Sequence, residues 1–451
     1  MGADRFFAVS RSAPGTEGIY CLATRSPPFS FMPLSRRQFL SASAAFTLGA
    51  CAAATSPTGG NSNNELTFWT MQLKPTFNEY MAALVAQFEQ QHPGVTVQWV
   101  DVPWGEMKDK ILTAIAARTG PDVVNLNPQF ATKLAEKDAL VDLGQLVGAE
   151  NRANYFPNLW KANQLGETTF GLPWYVATDI AAYNRDLFAR AGLDPDKPPQ
   201  TYEELASAAT QIASNTDKLA FLLTMDGSQV LESMVQMGLQ LLAPDGRAAF
   251  DSAAGRAAFG YWVDLFQQGV VPREMLTESH RRAIELYQAG ELAMLLTGPQ
   301  LLVQVAENAP SIASVTDVTA QISGSSGVKS ASVMNVAIPK QARNIDLALQ
   351  FALFVTSDRN QLEFSKLANT LPSTIASTRS AFFSEGGATI LDKARIVSAR
   401  QLPNAEVLIP PVEGLDKLQT LIYDQLQLAM LGSKTVEQAV STAAQQWNQL
   451  I

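Results

Sequence analysis

At 451 residues with 47% hydrophobic content, the chain is long enough for two or more globular domains of about 150 residues each. Forty-two acidic residues against 33 basic give a formal charge of -9, and residues 1–50 hold five of the basic and two of the acidic, so the remainder is more acidic still. That balance argues against nucleic acid and anionic membrane surfaces as partners, since phosphate binding draws on net basic charge.

The first organised segment is Ser35-Arg36-Arg37-Gln38-Phe39-Leu40, followed by the small and apolar run from Ser41 to Ala50 and then Cys51. It reads as a twin-arginine export signal occupying residues 1–50, with an apolar stretch too short for the roughly 20 helical residues that span a bilayer. Leu48-Gly49-Ala50-Cys51 resembles a bacterial lipobox, which makes Cys51 the lipidated first residue of an extracytoplasmic, periplasmic protein whose membrane attachment is the lipid alone. A signal starting this far into the chain, with Met32 just ahead of it, points to translation from Met32 and leaves residues 1–31 outside the protein. Cys21 lies upstream of the expected cleavage point, so the exported part has no disulfide. Residues 51–64, rich in Ala, Ser, Thr, Gly and Asn, have no apolar periodicity and read as a flexible tether.

From Glu65 the pattern becomes regular. Leu66 to Trp69 reads as a strand, and Phe77, Met81, Leu84, Val85 and Phe88 fall on one helix face. Pro93-Gly94 ends that helix, and Val95, Val97 and Trp99 alternate as a second strand. Met107, Ile111 and Ile115 predict another helix, and Asp122 to Leu126 a third strand after Gly120-Pro121. This alternation predicts an α/β sheet covered on both faces. Thr201 and Glu204 form a capping box opening a helix to about Ala213. Leu347, Phe351, Phe354 and Val355 mark a further helix, and 415–451 is helical with no proline to interrupt it.

Several segments, in order, resemble the extracellular solute-binding proteins of the maltose-binding type, the receptors of carbohydrate ABC importers. They are Phe88-Glu89-Gln90-Gln91-His92-Pro93-Gly94, Leu112 to Val124, Gly171-Leu172-Pro173-Trp174-Tyr175, Tyr183-Asn184-Arg185-Asp186-Leu187-Phe188, Pro198 to Leu205, Gly290-Glu291-Leu292-Ala293-Met294 with Gly298-Pro299, and Ile338-Pro339-Lys340. The resemblance covers roughly 65–445 and implies a two-lobed, type II periplasmic-binding fold with discontinuous lobes and a hinge. It further implies a monomer without cofactor or metal, closing on a small carbohydrate-like solute and delivering it to ABC permease subunits. Crossings placed near 174–182, 295–299 and 339–344 give lobe 1 as 65–173 and 298–340, and lobe 2 as 174–297 and 341–451.

A sugar site needs polar groups around the ring edge and aromatic rings against its faces. Trp69 and Thr70 end the first strand and Asn127 and Gln129 follow the third, where ligands of open α/β sheets sit. Trp174, Tyr175, Thr178 and Asp179 lie at the first expected crossing; Gly298, Gln300 and Asn335 complete the set, with Ser228, Gln229 and Ser332 as weaker candidates. Trp69 reads equally well as core, Asn127-Pro128 as a turn, and of adjacent Trp174 and Tyr175 only one can face the cleft. Trp262 reads as core. Asp179 stands out because an unpaired buried carboxylate is costly. The resemblance also implies a tryptophan platform after Gly298-Pro299, but Gln300 stands there, which favours a smaller or more polar solute than a long maltodextrin.

Other functions compete. A lipoprotein glycoside hydrolase needs two positioned carboxylates, and no pair is singled out; two histidines and no HExxH or GxSxG pattern give no support to metal or nucleophile chemistry. A receptor serving a sensor, or one binding a polyol, a glycosylglycerol or a glycerophosphodiester, shares the same signature; the last calls for Arg or Lys around the cleft.

Overall fold

The computed structural model describes residues 64–409 and 411–451. The export signal with Arg36 and Arg37, the lipidation residue Cys51 and the tether through residue 63 lie outside them.

Strand β1 (Glu65–Met71) pairs in parallel with β2 (Thr96–Val102) and with β3 (Val123–Leu126), and the intervening helices are Asn78–Gln91 and Trp104–Ala116. Alternate side chains of β1 leave opposite faces of the sheet: Leu66 and Phe68 enter one core with Met81, Leu84 and Phe88, while Trp69 and Met71 enter another with Met107 and Ile111. Both faces are therefore covered, as the strand and helix alternation predicts. A short hairpin, β4 (Gln164–Leu165) and β5 (Thr168–Thr169), precedes β6 (Leu172–Thr178) and β7 (Ile180–Asn184). Next come β8 (Met294–Thr297), β9 (Thr316–Ala320), β10 (Lys329–Ala337), β11 (Leu371–Pro372) and β12 (Ala405–Glu406).

These strands form two main sheets. The larger runs β11-β6-β10-β3-β1-β2 with β12 against β10, and the smaller runs β8-β7-β9, all antiparallel. A single residue, Asp179, separates β6 in one sheet from β7 in the other, so the chain passes from sheet to sheet there.

The other two crossings differ from those read in the sequence. Residues 298–320 were expected in lobe 1, yet β9 pairs with β7, and Leu302, Val305 and Ile322 are buried with Ile180, Phe188 and Trp262 in the second lobe. Residues 341–368 were expected in lobe 2, yet Leu347, Phe351, Val355 and Phe364 pack with Phe68 and Phe88 in the first. Gly298-Pro299 and Pro339 interrupt elements without carrying the chain across, because backbone breakers do not decide which core an apolar face joins. Electrostatics fixes the second segment too. The buried Asp122 carboxylate accepts from Arg343 Nη2 at 2.6 Å, the Arg343 amide at 2.8 Å and the Thr67 amide at 2.7 Å, tying 343 to the first sheet. The chain thus passes between the lobes at Asp179 and again within 321–328; after β11, helix Ile390–Gln401 packs on the second lobe's core through Ala394 before β12 pairs with β10, and from Leu415 the chain lies in the second lobe.

The capping box appears where expected: Thr201 Oγ1 accepts from the Glu204 amide and opens helix Tyr202–Asn215. The C-terminal helical stretch is two helices, Leu415–Met430 and Val436–Asn448. Gly432, at φ +73°, makes the turn between them and Thr435 caps the second.

Candidate functional site

A cavity of about 240 Å³ lies between the lobes. The first lobe contributes Trp104 at the start of its helix, the turn after β3 with Asn127, Gln129 and Thr132, and Ala331 to Met334 of β10. The second contributes Ser228 and Glu232 at the start of helix Gln229–Gln236, and the crossing segment supplies Val407, Ile409 and Pro411.

Local sequence dictates this wall. Asn127 Oδ1 accepts from the Phe130 amide at 2.8 Å and caps helix Pro128–Ala135, with Pro128 in its first turn, so Gln129 and Thr132 project from the first turns at the carboxyl end of β3. Trp104 is 45% exposed, a large apolar surface left in solvent at the cavity edge. Thr132 is the converse, 2% exposed with a hydroxyl that has no hydrogen-bond partner. Glu232 bridges the lobes: one carboxylate oxygen accepts from Ser228 Oγ and the other from Ser330 Oγ on β10, each at 2.6 Å.

Asp179 sits behind this wall, in a pocket shared with Glu232, Gln229, Gln236 and Tyr202. Burial, and then the negative charge of Glu232, push its carboxyl up to about 7, against a hydrogen bond from Gln229 that acts the other way. Its backbone carbonyl accepts from Gln401 Nε2 at 3.0 Å, and neighbouring Thr178 donates to the Ser398 carbonyl at 3.0 Å, so this crossing is held by helix Ile390–Gln401.

Of the residues expected to meet a solute, the cavity gathers Asn127 and Gln129, and it reaches Asp179 through Glu232. Trp174 stands elsewhere: it is fully buried, 5.0 Å from the Phe364 ring and 6.3 Å from Phe68, on the face of β6 that turns into the core. Tyr175 is half-buried and joins the same ring cluster, 5.0 Å from both Trp174 and Phe364. Trp69 is core with Lys110 over its ring, and Thr70 is spent in a buried link, donating to Asp101 and accepting from Trp99 Nε1, both at 2.7 Å. Gly298 begins a 3-10 turn in which the Gln300 amide fills the place a Cβ would take. Asn335 lies inside the first sheet between β3 and β6, against Gly171. Sequence reading missed Trp104, Thr132 and Glu232, which look like ordinary positions of amphipathic helices. Ser228 and Ser332, weaker candidates there, do line the cavity.

Across the cavity mouth, Lys108 and Lys133 of the first lobe hold Asp416 of the second at 3.2 and 2.8 Å, and Glu136 accepts from the Gly414 amide at 3.1 Å. Each exposed pair contributes below about 1 kcal/mol, but all three exist only while the lobes approach. Asp416→Asn is therefore expected to enlarge the radius of gyration of the solute-free protein in X-ray scattering; an unchanged profile would show that these contacts do not bias closure.

Residues 74–362 match the family model described as bacterial extracellular solute-binding protein. The chain belongs to this family. A candidate oligosaccharide periplasmic-binding protein from Synechococcus sp. MITs9220, solved in complex with zinc, is 40% identical, with a TM-score of 0.80 over 85% of this chain and 98% of that one. A protein of Brucella abortus named only as a binding protein is 23% identical over 59% of this chain, and the match spans 64% of that relative's length. The sn-glycerol-3-phosphate-binding periplasmic protein of Pectobacterium atrosepticum is 21% identical over 90% of this chain and 95% of its own. Among the described residues, no three His, Cys, Asp or Glu side chains are grouped as a metal site.

Proposed function

We propose that this protein is the solute receptor of an ABC importer: it takes a sugar or small glycoside between its lobes and passes it, as a monomer, to the permease subunits. The observation that carries this reading is the interlobe cavity itself. Its wall sets the polar side chains of Asn127, Gln129, Thr132, Ser228, Glu232 and Ser332 among apolar ones, it has an exposed indole at the edge, and the buried Thr132 hydroxyl has no hydrogen-bond partner. A sugar supplies hydroxyls for Asn127, Gln129, Thr132, Ser228 and Glu232, and C–H faces for Trp104. At about 240 Å³ the cavity suits a small solute rather than a long oligosaccharide. Solute contacts made by both walls would favour the closed arrangement and drive closure. The likeness to a Synechococcus protein named for oligosaccharide binding supports the solute class, and relatives named as binding proteins support a receptor over an enzyme.

The same reading places the protein outside the cytoplasm, exported through the Arg36-Arg37 signal and anchored by lipid on Cys51, on the strength of the sequence alone. A second reading, a glycerol phosphate, is favoured by the Pectobacterium relative.

The test is a thermal-shift screen of residues 61–451 against mono- and disaccharides, sugar alcohols, glycosylglycerols and sn-glycerol 3-phosphate. A ligand binding only the folded protein raises the midpoint by mass action. A shift with one carbohydrate, lost in Thr132→Val and in Trp104→Ala, is the expected result. A shift with the phosphate alone would replace the sugar by the second reading.

A further inference from the structure

Among the described residues lining the interlobe cavity, Glu232 alone carries a charge. Its carboxylate keeps open lone pairs after accepting one hydrogen bond on each oxygen, from Ser228 and from Ser330. A second carboxyl, Asp179, stands behind it in the adjoining pocket. No Lys or Arg is among the described residues lining the cavity. Lys108 and Lys133 are drawn to Asp416 at the mouth, and Lys329 Nζ donates to the Gln321 carbonyl at 2.6 Å and to Ser323 Oγ at 2.8 Å. The partnerless Thr132 hydroxyl, buried in the same wall, marks the space as one that takes a hydrogen-bonding guest.

We propose that Glu232 is the specificity-determining charge of the cleft: it accepts hydroxyl protons of a neutral, polyhydroxylated solute and excludes phosphorylated or otherwise anionic counterparts. This rests on the carbohydrate reading above and narrows it to uncharged members. The physical basis is asymmetric. A neutral hydroxyl gains a charge-assisted hydrogen bond, whereas a phosphate brings a like charge to an acidic wall that offers no guanidinium or ammonium partner. For two unit charges about 6 Å apart at an effective permittivity of about 20, the repulsion corresponds to roughly a hundredfold in affinity.

The experiment is calorimetric titration of wild-type protein and Glu232→Gln with matched pairs: glucose and glucose 6-phosphate, glycerol and sn-glycerol 3-phosphate, and any other neutral solute found by the screen with its phosphate monoester. Glutamine keeps the shape and still accepts from one serine, and a single cooperative thermal transition in the absence of solute confirms that the variant folds. The expected result is a neutral solute bound about a hundredfold more tightly than its phosphate by the wild type, with weaker neutral binding and most of that gap lost in Glu232→Gln. A phosphate bound as tightly as its neutral partner overturns the charge filter and leaves the carbohydrate reading standing. A gap untouched in Glu232→Gln removes Glu232 from the role. Failure of every neutral solute to bind overturns the carbohydrate reading and the filter with it.

Discussion

Trp174→Ala is expected to cost about 3–5 kcal/mol of stability, the range for truncating a fully buried large aromatic. The ring is closed in on all sides: Phe364 stacks on it at 5.0 Å, Tyr175 meets it edge-on at 5.0 Å, and Phe68 and the helix Ile345–Val355 lie across the sheet face. No neighbour is positioned to collapse into the space left, because Phe68 is itself fixed by Phe351 at 5.2 Å. Trp174→Phe should recover much of the loss and keep solute affinity unchanged, since the ring does not line the cavity. Urea denaturation checks the first part and titration with the screened solute the second. A variant that keeps full stability but loses the solute would return Trp174 to the site.

The solute-free protein should lose stability as pH rises from about 4 to above 7, and Asp179→Asn should abolish most of that loss. The sign follows from the proton inventory. Asp179 titrates at about 7 when folded against 3.8 as the ordinary value, so between those limits the native state holds a proton that the unfolded chain has released. The stability this lends is complete below the unfolded value and is gone once pH has passed the folded one. With about 1.4 kcal/mol per unit, the loss reaches about 4 kcal/mol at most. At pH 8 the asparagine variant should therefore melt higher than wild type, and at pH 4 the two should coincide. The cause is burial first and Glu232 second, so Glu232→Gln should shift the wild-type transition toward lower pH without removing it. Thermal midpoints in a pH series decide it; equal slopes for wild type and Asp179→Asn would contradict the account.

Much of the architecture was legible in the chain. The alternation of Leu66 and Phe68 with Trp69 and Met71, and the helix-spaced Met81, Leu84 and Phe88, are enough to specify a sheet buried on both faces, because periodicity reports which side of an element is apolar. The Thr201 capping box and the ordered family segments were equally visible. Lobe membership after residue 298 was not. An apolar face says that a helix will be buried, and not against which of two cores. Leu302 with Val305 and Leu347 with Phe351 read alike and go to different lobes.

The candidate site divides in the same way. That Asn127 and Gln129 follow a strand at its carboxyl end is a consequence of local order along the chain, whereas a crossing at Asp179 was implied only by the resemblance to the family. Tertiary contacts alone bring Thr132 and Trp104 of the first lobe to one cavity with Glu232 of the second, and keep Trp174 and Thr70 out of it. Those placements depend on contacts between residues far apart in sequence, such as Glu232 with Ser330 and Asp122 with Arg343, whose energies come from burial and partner choice rather than from any local pattern.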